Sequence, residues 1–242
     1  MTKQDAINIR SARRKYLATP IESSLLDSIK TSMDNYNTQG NIRMEIALAS
    51  NKQEGGYWQS ESTIYGAHNF ICLISNGVDK YNLERLGYWG EMLVLDLTTM
   101  GLGTCWIGSQ QPKTNIPLSK TENIVCIIAF GYTRKRKSLK ELLLHKLSHR
   151  KNKPMHELYT HSDKQPNWFL QGMEAVKKAP SSMNKQPVMF YYNENGYVTA
   201  ISTNQSMPAA LDLGIAKAHF ELGVGSGTWT WGKNSTYSRG NL

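Results

Sequence analysis

The sequence predicts an α+β fold, a central mixed or antiparallel sheet flanked by helices, in an arrangement that occurs twice along the chain. Three observations predict it. Apolar residues at Leu86, Trp89, Met92, Leu93, Leu97 and Met100 recur at helical spacing. An uncharged, β-branched run, Ile124–Gly131, reads as a buried strand. Helix, polar turn, strands and a long helix closing on Gly-x-Gly occur in both halves. Met100-Gly-Leu-Gly103 in the first is matched by Leu222-Gly-Val-Gly225 in the second, which suggests a duplicated unit.

Taken in order, Asp5–Arg14 is expected to be a helix. A second helix opens at Pro20, with Thr19 as cap, and runs through about Met33. Strands are expected at Ile42–Ala49 and Phe70–Ile74. The long helix, about Leu83–Met100, stops at Gly101-Leu-Gly103, a glycine C-cap. With the strand Ile124–Gly131 these elements form a half-repeat of approximately residues 1–137. A basic, helical connector follows over 138–153. The second half-repeat, 154–242, begins with a helix, Asn167–Lys178, behind Pro166. Strands Val188–Asn193 and Tyr197–Ser202 face each other across Glu194-Asn-Gly196, a hairpin turn, and a helix over Leu211–Leu222 ends at Gly223-Val-Gly225.

Composition narrows the function classes. The 242 residues are 40% apolar and 19% charged, too apolar for a disordered chain. No apolar run approaches the roughly 18 residues of a membrane span, so no membrane association is expected. Met1–Arg14 is polar and basic, and no signal peptide is expected there. Cys72, Cys105 and Cys126 each sit in an apolar run, too far apart for a zinc site or a disulfide framework. Buried free thiols in a reducing cytoplasm are the expectation. The six histidines form no HExxH or comparable cluster, so no metal is expected. The net charge of +9 concentrates at Arg10–Lys15, Arg134–Lys140 and Lys146–Lys153. Aromatics do not interleave with these clusters as in a stacking platform for nucleic acid, which leaves a phosphorylated ligand or a solvated basic surface.

Four segments carry candidate chemistry. Arg10-Ser-Ala-Arg-Arg14 would place Arg10 and Arg14 on one helical face, able to fork onto a phosphate, or would form a solvated basic turn. Ala179-Pro-Ser-Ser-Met-Asn-Lys-Gln-Pro187 is a stiff loop dense in donors and acceptors. It suits the polar edge of a heterocycle or, equally, a capping turn. Gly101-Leu-Gly-Thr-Cys-Trp-Ile-Gly-Ser109 lets backbone N–H groups approach a ligand beside the flat Trp106, or simply ends a helix ahead of a core tryptophan. Cys105 has no basic neighbour in sequence to make it a thiolate. Gly131-Tyr-Thr-Arg-Lys-Arg-Lys137, leaving the end of a strand, reads as an anion site, a solubilising surface or a minor nucleic-acid patch.

In this order the segments resemble the nitroreductase (NAD(P)H:flavin oxidoreductase) family. The matches are Arg10 and Arg14; Pro180, Ser181, Ser182, Asn184, Gln186 and Pro187; Gly101 to Gly108; and Gly131-Tyr132. The resemblance implies a nitroreductase-like fold and an FMN cofactor reduced by NAD(P)H, with a nitroaromatic, quinone or flavin-type small molecule as acceptor. The flavin would be the redox centre, with no catalytic side chain required. Arg10, Ser11, Arg14, Arg134 and Arg136 would meet the FMN phosphate. Pro180, Ser181, Ser182, Met183, Asn184 and Gln186 would meet the ring. Trp106, Ile107, Gly108 and Ser109 would lie along its face and its N5 edge. A flavin-binding protein of the same fold without turnover is the alternative.

The departures from the family pattern carry information. Ala12 stands where the family has a phosphate-binding Ser, with Ser11 beside it, and Thr133 replaces a Pro. The Pro-Ser-Ser loop lies in the second half, while its counterpart in the first, Asp34–Asn41, is degenerate. The second half lacks an arginine pair around Glu157–Lys164. This complementary loss resembles a fused branch in which one chain imitates the family dimer. A monomer with one FMN per chain is therefore expected.

Overall fold

The computed structural model describes residues 1–48, 64–108, 114, 116–138, 141–142, 151–160, 165–193 and 195–240. Five helices and eight strands are described: α1 (Lys3–Ile9), α2 (Ser23–Gly40), β1 (Arg43–Leu48), β2 (Asn69–Asn76), α3 (Lys80–Thr99), β3 (Gly103–Gly108), β4 (Glu122–Gly131), α4 (Asn167–Val176), β5 (Val188–Tyr192), β6 (Val198–Ser202), α5 (Met207–Val224), β7 (Thr228–Trp229) and β8 (Thr236–Ser238). They fall into two compact units. One comprises Ile9–Gly77 and Leu93–His149; the other comprises Thr2–Asn8, Val78–Met92 and Arg150–Leu242. The first turns of α3 thus cluster with the second unit and its last turns with the first. No described helix is long and apolar enough to cross a membrane.

The first unit is built on a four-stranded antiparallel sheet of order β1-β2-β4-β3. β2 and β4 are its centre and are almost wholly buried, as uncharged β-branched runs require. Phe70, Cys72, Ile74, Cys105, Ile127 and Ala129 form a core on which Tyr16 packs. α2 runs well beyond the expected end near Met33. Tyr36 donates to Asp96 at 2.6 Å, and the Asn37 amide brackets the Met44 backbone at 2.7 and 2.9 Å, so these side chains tie the added turns to α3 and β1. The stretch Asp34–Gly40, the counterpart of the Pro-Ser-Ser loop by position, is therefore helix. Pro20 lies outside the helix, which starts at Ser23.

α3 ends as its glycine predicts. Gly101 is left-handed (φ 81°), with Gly101 N–H donating to Thr98 O and Leu102 N–H to Leu97 O, a Schellman closure. The next residues, Gly103–Gly108, to which the sequence assigned no element, form the edge strand β3, paired along β4 from Gly131 to Cys126.

The second unit contains a sheet of order β5-β6-β8-β7, again antiparallel throughout. Its strand order repeats that of the first sheet, and each sheet follows a helix and has a longer helix between its second and third strands. α5 is buried on every side from Leu211 to Phe220. It crosses the first turns of α3 at two glycines: a Cβ on Gly214 would lie 1.8 Å from Glu84 O, and one on Gly87 would lie 2.1 Å from Leu211 O. Polar groups of α5 are met in pairs. Lys217 is ion-paired with Glu84 and donates to Ser235 at 2.6 Å, His219 meets Glu91 at 2.9 Å, and Glu221 accepts from Tyr88 at 2.7 Å.

Several expected features lie partly outside the described residues: the connector, of which 139–140 and 143–150 are not described, Ala49 at the end of an expected strand, residues 161–164 and Glu194 of the hairpin turn. Residues 141–142 of the connector are helical.

Candidate functional site

The basic N-terminal segment is not the expected helix. α1 ends at Ile9, and Arg10–Leu17 runs extended, stitched into the first unit by backbone bonds. Ala12 bridges Thr104 in parallel, and Arg13 N–H donates to Thr104 O at 2.8 Å. Tyr16 N–H donates to Tyr65 O at 2.9 Å, and Leu17 N–H to Tyr132 O at 2.8 Å. Strand partners outcompete helical bonds because each N–H can be satisfied by only one of the two arrangements. Burial pushes the Cys105 thiol up, and the charges of Arg14 and Arg10 both oppose that rise. Both arginines therefore approach Cys105 in space, a neighbourhood invisible in the sequence, yet burial prevails and the thiol stays protonated.

Arg13, which sequence reasoning passed over, is the inward arginine. Its Nη2 donates to Arg134 O at 2.7 Å and its Nε to Glu141 at 3.4 Å. The Glu141 carboxylate also accepts from Arg14 N–H (2.9 Å), Lys15 N–H (3.2 Å) and Ser138 N–H (2.7 Å). Burial works against its ionisation, but the Ser138 and Arg14 N–H groups, the Ser138 hydroxyl and the Arg13 charge hold the carboxyl down to about 2. Lys137 belongs to the same cluster: burial lowers its pKa, repulsion from Arg13 and Arg10 lowers it further, and Glu141 opposes both. The structure thus brings Arg10, Arg13, Arg14, Lys137 and the Arg134 backbone together. Arg136 is exposed, and Ser11 is half-buried in the extended segment. Gly103 is required here, since a Cβ would lie 2.4 Å from Thr133 Cγ2 and 3.0 Å from Arg13 Cγ.

β3 offers a backbone edge. Thr104 O turns outward to Arg13, so the antiparallel alternation turns the backbone of Trp106 and Gly108 to the same outer side. Trp106 and Ile107 are half-buried, and Gly108 is exposed with nothing within 4 Å of a would-be Cβ. Ser109 lies outside the described residues.

In the second unit, residues 179–187 form a tight loop around a 3-10 turn, Ser182–Asn184. Met183 (φ 52°), Asn184 (φ 50°) and Gln186 (φ 44°) are all left-handed, each costing about 1 kcal/mol or more, so the loop must be held by its surroundings. Ser181 Oγ accepts from Gln186 N–H at 2.9 Å, and the Asn184 amide donates to Asn152 at 2.9 Å. Asp212, on α5, accepts from Ser182 N–H at 3.0 and 3.2 Å. Burial raises the Asp212 carboxyl to about 7, against the Ser182 N–H and the Lys185 charge. A cavity of about 10 Å³, room for one water at most, lies among Val176, Pro180, Ser181, Gln186 and Asp212.

Gln186 is placed otherwise than expected. It is 3% exposed; its Nε2 donates to Lys177 O at 3.1 Å and its Oε1 accepts from Lys153 N–H at 2.8 Å. Both ends of the amide are engaged within the unit, so Gln186 anchors the loop. Ser182 and Met183 are the exposed members, and Pro180, Ser181 and Asn184 are half-buried.

The family model described as "Putative TM nitroreductase" matches residues 3–224. The chain belongs to this nitroreductase family. Among solved structures, a Thermotoga maritima protein described in similar terms is 23% identical, covering 98% of this chain and 92% of its own, with a TM-score of 0.67; this likeness shows the shared fold. A nitroreductase family protein from Clostridium difficile is 15% identical over 69% of this chain and 100% of its own, with a TM-score of 0.48. A Bacteroides fragilis nitroreductase with bound FMN is 14% identical over 57% of this chain and 92% of its own, with a TM-score of 0.43. No curated protein matched the sequence.

Of the residues gathered in these two places in this nitroreductase, Lys137 belongs to the segment that the sequence marked as a candidate anion site, whereas Arg13, Glu141 and Asp212 were not singled out. Two left a signal. Glu141 is the sole acid between Arg134 and Lys153, and Asp212 interrupts the apolar run Ala209–Ala216.

Proposed function

We propose that this chain is an FMN-dependent oxidoreductase that passes reducing equivalents from NAD(P)H to a small-molecule acceptor of nitroaromatic, quinone or flavin type. The observation that carries the reading is the cationic cluster of the first unit, in which Arg10, Arg13, Arg14 and Lys137 gather where the extended segment meets β3. Partly buried guanidinium and ammonium groups held by fixed hydrogen bonds are the donor set that a phosphomonoester requires. FMN, when bound, supplies the electron and hydride chemistry.

The chain's own residues supply the rest of the reading. Arg10 and Arg14, with Ser11, Arg134 and Arg136 at the margin, neutralise the phosphate. Pro180, Ser181, Ser182, Met183 and Asn184 form the polar loop for the ring, with Gln186 holding it. The outward backbone of Gly108, flanked by Trp106, Ile107 and Ser109, offers N–H groups to the ring edge, where fixed dipoles stabilise negative charge without reorganising.

We also infer that the chain arose by internal duplication. The shared strand order of the two sheets supports this. The three buried, free cysteines are consistent with a cytoplasmic protein.

The test is a spectrum of the purified protein reconstituted with FMN, followed by anaerobic addition of NADH or NADPH. Flavin absorbance that bleaches and returns with a nitroaromatic or quinone acceptor is expected. Protein that takes up no FMN overturns the reading, and bound flavin that never bleaches reduces it to a binding protein.

A further inference from the structure

We infer that Glu141 is a positioning residue for the FMN phosphate. It clasps the basic segments Arg10–Lys15 and Arg134–Lys137 into one arrangement, so disturbing its carboxylate weakens phosphate binding even though Glu141 is itself an anion. This inference rests on the reading of the chain as an FMN-binding protein.

A carboxylate in the middle of an anion site calls for an explanation. Four cations, Arg10, Arg13, Arg14 and Lys137, lie in one neighbourhood, and the Lys137 ammonium, depressed first by burial, is depressed further by repulsion from Arg13 and Arg10. Without a counter-charge the two segments are pushed apart. Glu141 is 5% exposed, with its acceptor capacity turned inward. Oε1 takes the N–H groups of Arg14 and Lys15 together with Arg13 Nε, and Oε2 takes the N–H of Ser138. Arg13 completes the clasp by donating its other arm to Arg134 O. One buried carboxylate thus bonds donors from stretches more than a hundred residues apart in sequence.

Two effects oppose each other when Glu141 is altered. Removing its charge strengthens the attraction for phosphate. Removing its bonds leaves buried N–H groups unsatisfied and frees the extended segment to move, which spoils the convergence of Arg10 and Arg14. The cluster keeps an excess of positive charge with Glu141 in place, so additional attraction adds little. The lost geometry removes the paired, fixed donors on which charge-assisted bonding depends, and geometry prevails.

The test measures affinity for FMN and for riboflavin, which lacks the phosphate, by quenching of flavin fluorescence in wild type, Glu141→Asp and Arg13→Lys. Glu141→Asp keeps the charge but is one methylene too short to reach both segments. Arg13→Lys keeps the opposite charge but loses the fork. Each variant is expected to lose about tenfold in FMN affinity, the scale of one charge-assisted bond, while riboflavin affinity stays the same. Unchanged or tighter FMN binding in both variants overturns the proposal, as does a parallel loss for riboflavin, which marks general damage to the fold. If Glu141→Asp does not fold by circular dichroism, Arg13→Lys alone decides by the same comparison. Wild type that takes up no FMN overturns the functional reading and this proposal with it, whereas FMN-binding wild type with indifferent variants overturns this proposal alone.

Discussion

Replacing Asp212 by Asn is expected to stabilise the protein at alkaline pH and to leave its stability nearly unchanged in acid. Asp212 is 5% exposed on α5, beneath the strained loop, and accepts the Ser182 N–H. Burial lifts its carboxyl from the usual 3.8 to about 7, the Ser182 N–H and the Lys185 charge only partly opposing. A group whose folded pKa is raised contributes stability that is fully present below the unfolded value and is lost as pH rises through the folded value. The window here therefore runs from about pH 4 to about pH 7. At ~1.36 kcal/mol per pKa unit, the loss across it is at most about 4 kcal/mol. The adjoining water-sized cavity offers some solvation to the charged form, so a loss of about 2–4 kcal/mol is expected. The Asn carbonyl still accepts from Ser182 N–H, but the amide does not titrate. Urea unfolding of flavin-free protein, followed by tryptophan fluorescence at pH 4.5 and pH 8, gives the difference directly. Other titrating groups such as Glu221, whose carboxyl is also raised by burial, cancel between the two proteins. A variant less stable than wild type at pH 8, or a stability gap that ignores pH, would refute the reasoning.

Three further outcomes are expected. Gly214→Ala should lower stability by about 3 kcal/mol, because the added Cβ would meet Glu84 O at 1.8 Å and backbone cannot turn aside as a side chain can; thermal melting checks it. Lys217→Met should cost about 3–5 kcal/mol by leaving Glu84 buried and unpaired, and Glu84→Gln added to it should restore most of the loss in the same melt. Finally, flavin titration with light scattering should find one FMN per chain and binding by a monomer, because the arginine pair and the Pro-Ser-Ser loop each occur once in the sequence. Two flavins per chain would remove the basis for the fused-repeat reading.

The family and much of the fold could be read from the sequence. The stripe from Leu86 to Met100, the uncharged run from Ile124 to Gly131, and the glycines at 101 and 225 specify α3, β4 and two helix ends through local rules. Hydrophobic periodicity and left-handed glycine caps act over a few residues, and a few residues are enough to read them. The Pro-Ser-Ser and Gly-Leu-Gly-Thr-Cys-Trp segments were equally local, and they pointed to the nitroreductase family.

Tertiary structure decided what depends on distant partners. Arg10–Arg14 has acceptable helix formers, but Thr104 and Tyr65 supply strand-like partners, and the segment is extended. Gly103–Gly108, with two glycines in six residues, shows no strand signal of its own and becomes an edge strand because β4 lies beside it. β7 and β8, too short to show a period, exist by pairing with each other and with β6. α2 continues past Met33 because Tyr36 and Asn37 find Asp96 and Met44. The roles of Glu141 and Asp212 follow the same rule. A lone acid in a basic run and an acid in the apolar stretch of a helix have no assignable function until the fold brings the N–H groups of Arg14 and Ser182 within bonding distance. A buried charge takes its meaning from the groups that satisfy it, and here most of those groups lie far away along the chain.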